Sequence, residues 1–228
     1  MNELEKISER YERRKKFDSM LYSYFNNANL FIAQARERKI LGLIKKYLGD
    51  KLNDKKILDV GCGGGGELRN FIKYGAKPEN LYGIDLLEDR IERAKYLSPN
   101  IEFRCGNAEK LPYPDEFFDI VMQFTMFTSI LNDNMKRNIA KEMLRVLKED
   151  GIILWYDFIY NNPRNPDVKG IGKSEILRLF PNCKFNFNKI TLAPPIARAI
   201  APYSYLASYL LEKLKFLNTH YLVVISGG

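Results

Sequence analysis

The chain has 228 residues, 46% hydrophobic and 28% charged, with a formal net charge of +8. That length and apolar fraction suit one α/β domain, alone or with a cap, with a core of ordinary size. Lys and Arg are interleaved with Asp and Glu, as in "ERYERRKKFD" and "KEMLRVLKED", so the positive total marks no basic stripe and nucleic acid is not the expected substrate.

In chain order, residues 1–50 read as a helical cap: a charged first part, then "LFIAQARERKILGLIKKYL", with Leu30, Ile32, Ala33, Leu41, Ile44 and Leu48 at roughly helical period and Gly49 and Asp50 at its end. Residues 55–160 form the core. "KKILDVG" is a buried strand and "GELRNFIKYG" a helix closed by Gly75. "NLYGIDL" is a strand, "LEDRIERAKYL" a helix, and "IEFRCG" and "FFDIVMQF" are strands. "NMKRNIAKEMLRVLKEDG" is predicted as one helix running to Gly151, followed by the strand "IILWYDF". In residues 161–228, "YNNPRNPDVKG" reads as a loop, "FNFNKITL" and "THYLVVIS" as strands, and about 193–217 as a helical insertion before the last strand. Strands alternating with helices at short spacing predict a doubly wound, mostly parallel sheet, with ligands beyond the carboxyl ends of its strands.

Three cysteines, Cys62, Cys105 and Cys183, are odd in number and lack metal-ligand spacing, which predicts reduced thiols in a cytoplasmic protein and no metal site. The N-terminus "MNELEKISERYERRKK" has no apolar segment of the kind a signal peptide needs. No stretch reaches the ~18 apolar residues that span a bilayer; the nearest, Ala199 to Leu211, is short and carries Pro202.

The stretch "ILDVGCGGGGELRNF" fits two fingerprints. Gly61, Gly63 and Gly66 spell the dinucleotide pattern G-x-G-x-x-G, which leaves an NAD-type oxidoreductase as one reading. Asp59, Gly61, Gly63 and Gly65 spell D-x-G-x-G-x-G. Either way a strand turns sharply into a helix, and the absent side chains let backbone approach a ligand. Asp85, about 20 residues past the glycines, has the spacing of an acid that binds ribose hydroxyls, which both cofactors carry; it could instead cap the next helix.

Two later motifs break the tie. "CGNAEKLPYPDEFFDIV" resembles the methyltransferase pattern G-D-A-x-x-L-P-F-x-D-x-x-F-D-x-V, and "EMLRVLKEDGIIL" resembles the R-V-L-K-P-G-G junction of the same enzymes. From Ile57 to Phe158 the chain resembles class I S-adenosylmethionine-dependent methyltransferases, in the branch related to the ubiquinone and menaquinone enzymes. "LWYDFIYNNPRNPDVKGI", "TLAPPIARAIAP" and "THYL" also resemble a bacterial subfamily linked to surface polysaccharide or natural-product pathways. The resemblance implies a Rossmann-like seven-stranded sheet of order 3-2-1-4-5-7-6 with the last strand antiparallel, and S-adenosylmethionine as methyl donor. It implies that Asp59 and the backbone of Gly61, Cys62, Gly63 and Gly65 hold the methionine part, that Asp85 takes the ribose hydroxyls and that Leu86 packs on adenine. Asn107 and Ala108 would read the adenine edge, and Gln123 and Phe124 would lie near the methyl group. The family usually has Asp at position 107; the Asn oxygen still accepts a hydrogen bond there. Cys62 reads as a small space-filler rather than a nucleophile.

The acceptor is expected to be a small molecule or glycan precursor methylated on oxygen or nitrogen. Acid-base candidates are Asp157 and Tyr156 at the end of the fifth strand and His220, the only histidine; each also reads as a structural anchor. Tyr11, Tyr24, Phe127 and Arg164 are candidate acceptor contacts, although aromatic residues at helical spacing also read as core. The basic total and the apolar late helix leave room for peripheral membrane contact.

Overall fold

The computed structural model describes residues 3–14, 19–162 and 165–227; Arg164 lies outside them. Seven strands form one sheet: β1 (Ile57–Val60), β2 (Leu81–Asp85), β3 (Glu102–Cys105), β4 (Phe118–Phe124), β5 (Leu147–Phe158), β6 (Lys184–Leu192) and β7 (Asn218–Ser226). Their order is β3-β2-β1-β4-β5-β7-β6. Strands β1 to β5 pair in parallel, and β7 runs antiparallel between β5 and β6. The resemblance implied this order. It reverses between β1 and β4, which puts a ligand crevice at their carboxyl ends.

Both faces of the sheet are covered, so the central strands are apolar throughout rather than alternating with polar residues. The helices are α1 (Glu3–Arg14), α2 (Asn27–Leu48), α3 (Gly66–Lys73), α4 (Glu88–Leu97), α5 (Asp133–Arg145), α6 (Lys173–Leu179), α7 (Pro194–Ile200) and α8 (Tyr205–Lys213). Apolar residues of α2, α3 and α4 share one buried cluster with Ile57, Ile152, Leu154 and Tyr156. Those of α1, α5 and α6 share the other with Leu58, Ile153 and Trp155. Successive residues of β5 thus point to opposite faces. Trp155 is fully buried, with its ring centroid 4.4 Å from Phe127 and 5.9 Å from Phe180; each such ring contributes roughly 2–3 kcal/mol by leaving water. A third cluster joins Ala28 and Phe31 of α2 to Ala197 of α7 and to Leu192.

Helix starts follow their caps. The side chain of Asn26 accepts from the Ala28 and Asn29 amides at the start of α2, and that of Asn132 accepts from Asn134 and Met135 at the start of α5.

One sequence expectation needs correction. The fifth helix does not run to Gly151; it stops at Arg145, and residues from Leu147 already belong to β5. The carbonyls of Arg145 and Val146 accept from the amides of Glu116, Phe117 and Phe118, which approach β4. These bonds satisfy the helix end. The ladder then jumps from Phe118↔Leu147 to Ile120↔Ile152, so Lys148–Gly151 bulge out. Gly151 serves this strand crossing rather than a helix end: a Cβ there would lie 2.8 Å from Leu147 Cδ1 and 3.1 Å from the Asp119 carbonyl oxygen. Helix α6, seven residues long, follows the predicted loop in a stretch to which the sequence assigned no element; Ile176 and Leu179 bury its inner side.

Candidate active site

Strand β1 ends at Val60 and α3 begins at Gly66. Between them Gly61, Gly63 and Gly65 have φ of 77°, 51° and 74°. These are the glycines of D-x-G-x-G-x-G. Gly66, which only the dinucleotide pattern requires, keeps ordinary helical backbone. Space also enforces the choice: a Cβ on Gly61 would sit 2.6 Å from Met126 Cγ, and one on Gly65 2.6 Å from Phe103 Cζ.

The loop is tied to β2. The amides of Gly61 and Cys62 donate to the Ile84 carbonyl at 2.8 and 3.1 Å. Asp85, at the end of β2, accepts from the Gly63 amide at 2.8 Å with one oxygen and from the Leu87 amide at 3.0 Å with the other. Its carboxylate therefore braces both the glycine loop and the entry to α4, while the side chain remains part of the cleft wall. Cys62 is buried, with Sγ 3.7 Å from the Gly63 carbonyl oxygen, and burial pushes its thiol far above the usual range. It fills space.

Asp59 is the unusual residue. It is buried, and its Oδ1 has no hydrogen-bond partner among the described residues. Burial, then the negative charges of Glu67 and Asp85, hold its carboxyl well above the ordinary range, and Arg36 opposes them. A buried carboxyl oxygen without a hydrogen-bond partner costs about 2–7 kcal/mol. A cation beside it would relieve that cost; a pyrophosphate would add to it. S-adenosylmethionine brings a sulfonium and an ammonium, whereas NAD brings two phosphates. The residues present fit the first.

Along the cleft, Asp85, Leu86, Asn107, Ala108, Gly61 and Met126 line a cavity of about 50 Å³. Asn107 Oδ1 accepts from the Glu109 amide at 2.9 Å, and its Nδ2 donates to Glu109 Oε2 at 3.1 Å. The cavity is small because α1 lies over it. Ile7 packs into the apolar cluster beneath, Arg10 donates to the Ser129 carbonyl at 2.9 Å, and the Arg90 guanidinium stands 4.3 Å over the Tyr11 ring. Ligand pockets for molecules of drug size run to about 300–1,000 Å³, and this cavity is well below that range. Tyr11, a candidate acceptor contact from sequence, lies in this lining, whereas the buried Ile7 and Arg10 of the same helix were not singled out.

At the ends of β4 and β5 the other candidates separate. Tyr156 and His220 stack at 4.8 Å with an interplanar angle of 9°. The Tyr156 hydroxyl lies 2.9 Å from Thr191 Oγ1, and His220 Nδ1 3.0 Å from Thr219 Oγ1. The Arg36 guanidinium stands 5.1 Å over Tyr156 and 5.5 Å over Phe124, and pairs with Glu67. Burial, then Arg36, lowers the His220 pKa to about 4, so its imidazole is neutral at pH 7. Asp157 points to the opposite face of the sheet. It is buried and accepts from Thr128 Oγ1 at 2.7 Å, the Thr128 amide at 3.2 Å and the Phe158 amide at 3.0 Å.

Gln123 is buried, and its Oε1 accepts from the Met126 amide at 3.1 Å, which shapes the turn after β4. In that turn Thr125 has φ of 58°, an outlier for a β-branched residue and a form of strain that clusters at functional sites. Phe127 is fully buried against Trp155, and Tyr24 is exposed. Arg36 and Glu67 were not singled out from sequence; Glu67 stands directly behind the glycine run, where its position was the available signal.

Residues 58–155 match the family model described as a methyltransferase domain. This segment is similar to methyltransferase domains, and the strand order around it is the one the sequence resemblance implied. The chain is 33% identical over 131 residues to demethylmenaquinone methyltransferase of Lactobacillus johnsonii, a match covering 55% of this chain and 51% of that one. The chain thus spans about half the length of the curated relatives it matches, or less. Its fold is similar to the PH0226 protein of Pyrococcus horikoshii, with TM-score 0.65, 21% identity and coverage of 95% and 99% of the two chains. It is also similar, at TM-score 0.59, 14% identity and 82% and 76% coverage, to geranyl diphosphate C-methyltransferase of Streptomyces coelicolor, solved with S-adenosyl-L-homocysteine. At these identities the structural likeness is one of fold. The matched segment carries all the cofactor-site candidates, and the residues over its cleft, from α1 and α2, lie outside it.

Proposed function

We propose that this chain transfers a methyl group from S-adenosylmethionine to an oxygen or nitrogen of a small molecule or glycan precursor. The observation that carries the reading is the pair of acids at the glycine loop, with Oδ1 of buried Asp59 unpartnered and Asp85 accepting from the Gly63 amide. In this reading Asp59 and the Gly61–Gly65 backbone hold the methionine end and Asp85 the ribose. Leu86, Asn107 and Ala108 hold the adenine. The similarity to the demethylmenaquinone enzyme supports the quinone-methyltransferase branch.

The cofactor, when bound, supplies a methyl carbon already activated by its sulfonium, so the chain needs no acid to expel the sulfur. The chain's own task is to align and dehydrate the acceptor. The Arg36–Glu67 pair closes over Phe124 and Tyr156, and both side chains are about one-fifth exposed (20% and 21%). An acceptor seated there would meet aromatic faces and the neutral His220. With a pKa near 4, His220 is a weak base and orients a hydroxyl more than it deprotonates one. Asp157, turned to the other face and bonded to Thr128, acts on the shape of the turn below.

Incubation with methyl-labelled S-adenosylmethionine and panels of hydroxylated, amino and glycan acceptors tests the reading. Label should appear as an O- or N-methyl group with release of S-adenosylhomocysteine. His220→Ala should lower turnover roughly tenfold and leave cofactor affinity unchanged. Label entering RNA instead, or tight cofactor binding with no turnover on any class, would reject the proposed acceptor.

A further inference from the structure

Helix α8 buries only one side. Ser208 is fully buried, whereas Leu206 and Leu210, one turn apart on the opposite side, are 69% and 59% exposed. Tyr203 before the helix and Phe216 after it are 90% and 73% exposed. The start of α2 adjoins this helix: the Tyr205 hydroxyl donates to the Asn27 carbonyl at 3.3 Å, and the Tyr205 ring lies 6.0 Å from that of Phe31. Phe25, 97% exposed, stands two residues away. Proteins that stay in water seldom present so many large apolar side chains together.

A second feature flanks the same helix. Tyr209, Glu212 and Lys213 of α8 form one wall of an open groove of about 490 Å³ whose other lining includes Arg38, Lys39, Lys189 and Lys215. Glu212 is the single acid among the lining residues, against five cations. Lys213 stands at the border, with its ammonium 4.3 Å over the Tyr209 ring. The groove shares no lining residue with the cofactor cleft.

An apolar stripe bordered by cations is the arrangement that lies in a bilayer interface: leucines and aromatics enter the acyl boundary while lysines meet lipid phosphates. We propose that α8, with Phe25 and the Arg38–Lys215 groove beside it, docks this protein on an anionic membrane surface. A nucleic acid would use the cations but leave the leucine stripe in water, and a second copy of this chain would set one basic groove against another. No helix among the described residues is long and apolar enough to cross a membrane, so the contact is peripheral. The inference is independent of the proposed acceptor.

Flotation of the full chain with vesicles of phosphatidylcholine alone, and of phosphatidylcholine with phosphatidylglycerol, tests it. Binding is expected to the anionic vesicles and to weaken as salt is raised. Each cation at such a surface is worth roughly fivefold in affinity, so Lys213→Ala with Lys215→Ala should cost roughly 25-fold. Leu206→Ser with Leu210→Ser should cost at least roughly tenfold at any salt concentration. All four positions are exposed, so unfolding temperature and cofactor affinity should not move. Absence of binding to both vesicle types would overturn the proposal. So would binding indifferent to both variant pairs, dimerisation abolished by the leucine changes, or RNA binding abolished by the lysine changes with no vesicle binding.

Discussion

Replacing Asp85 with alanine is expected to weaken S-adenosylmethionine and S-adenosylhomocysteine binding by at least about 100-fold, near 3 kcal/mol. Two losses combine. The first is the charge-assisted contact to the ribose hydroxyls that the proposed function assigns to Asp85, worth about 1.5–3 kcal/mol per hydrogen bond in such settings. The second is internal. Both Asp85 oxygens accept backbone amides, from Gly63 and Leu87, and their removal frees the glycine loop from its left-handed conformation. Asp85→Asn keeps an acceptor but loses the charge and turns an NH2 group toward one amide, so a smaller loss is expected. Calorimetric titration measures both variants. An Asp85→Ala protein that binds within threefold of wild type would remove Asp85 from the site.

The other large effect concerns stability. Burial pushes the Asp157 pKa up to about 7, while hydrogen bonds from Thr128 and Phe158 pull the other way. The folded chain thus holds this proton more tightly than the unfolded chain, whose Asp titrates near 4. The stabilisation is complete below about pH 4 and is lost as pH rises through about 7. Between pH 5 and pH 8 the loss is roughly 2–3 kcal/mol. Asp59 has the same sign. Glu37, Asp119 and Glu142, whose pKa values are lowered by their partners, have the opposite sign, and their contributions change only in acid. Urea unfolding of wild type and Asp157→Asn at both pH values isolates the group. The wild type should lose more stability than the variant by that amount. Parallel profiles would mean that Asp157 is ionised in the folded protein at pH 5.

The sequence carried the sheet because each central strand is a short apolar run ending in glycine, acid or a turn. Ile57–Val60 stops at Gly61 and Leu81–Asp85 at its acid. The glycine loop was legible for a similar reason: three alternate glycines answer to three positive φ values. What stayed hidden depends on contacts distant in sequence. Arg145 ends α5 because residues 116–118 bond its last carbonyls, although "RVLKE" continues a helical pattern. The closure of α1 over the cleft rests on Ile7 and on Arg10 reaching Ser129, 119 residues away. Tyr156 and Asp157 were read as one pair, yet neighbouring residues of a strand face opposite sides, and only the sheet decides which side meets His220.

Titration of S-adenosylhomocysteine and of NAD into the wild-type protein tests most directly the claim that this glycine loop is a methyl-donor site. One equivalent of S-adenosylhomocysteine should bind with a Kd of about 1–10 μM, about −7 to −8 kcal/mol, and NAD should give no heat of binding. NAD binding with S-adenosylhomocysteine silent would contradict the claim and return the glycine loop to its dinucleotide reading.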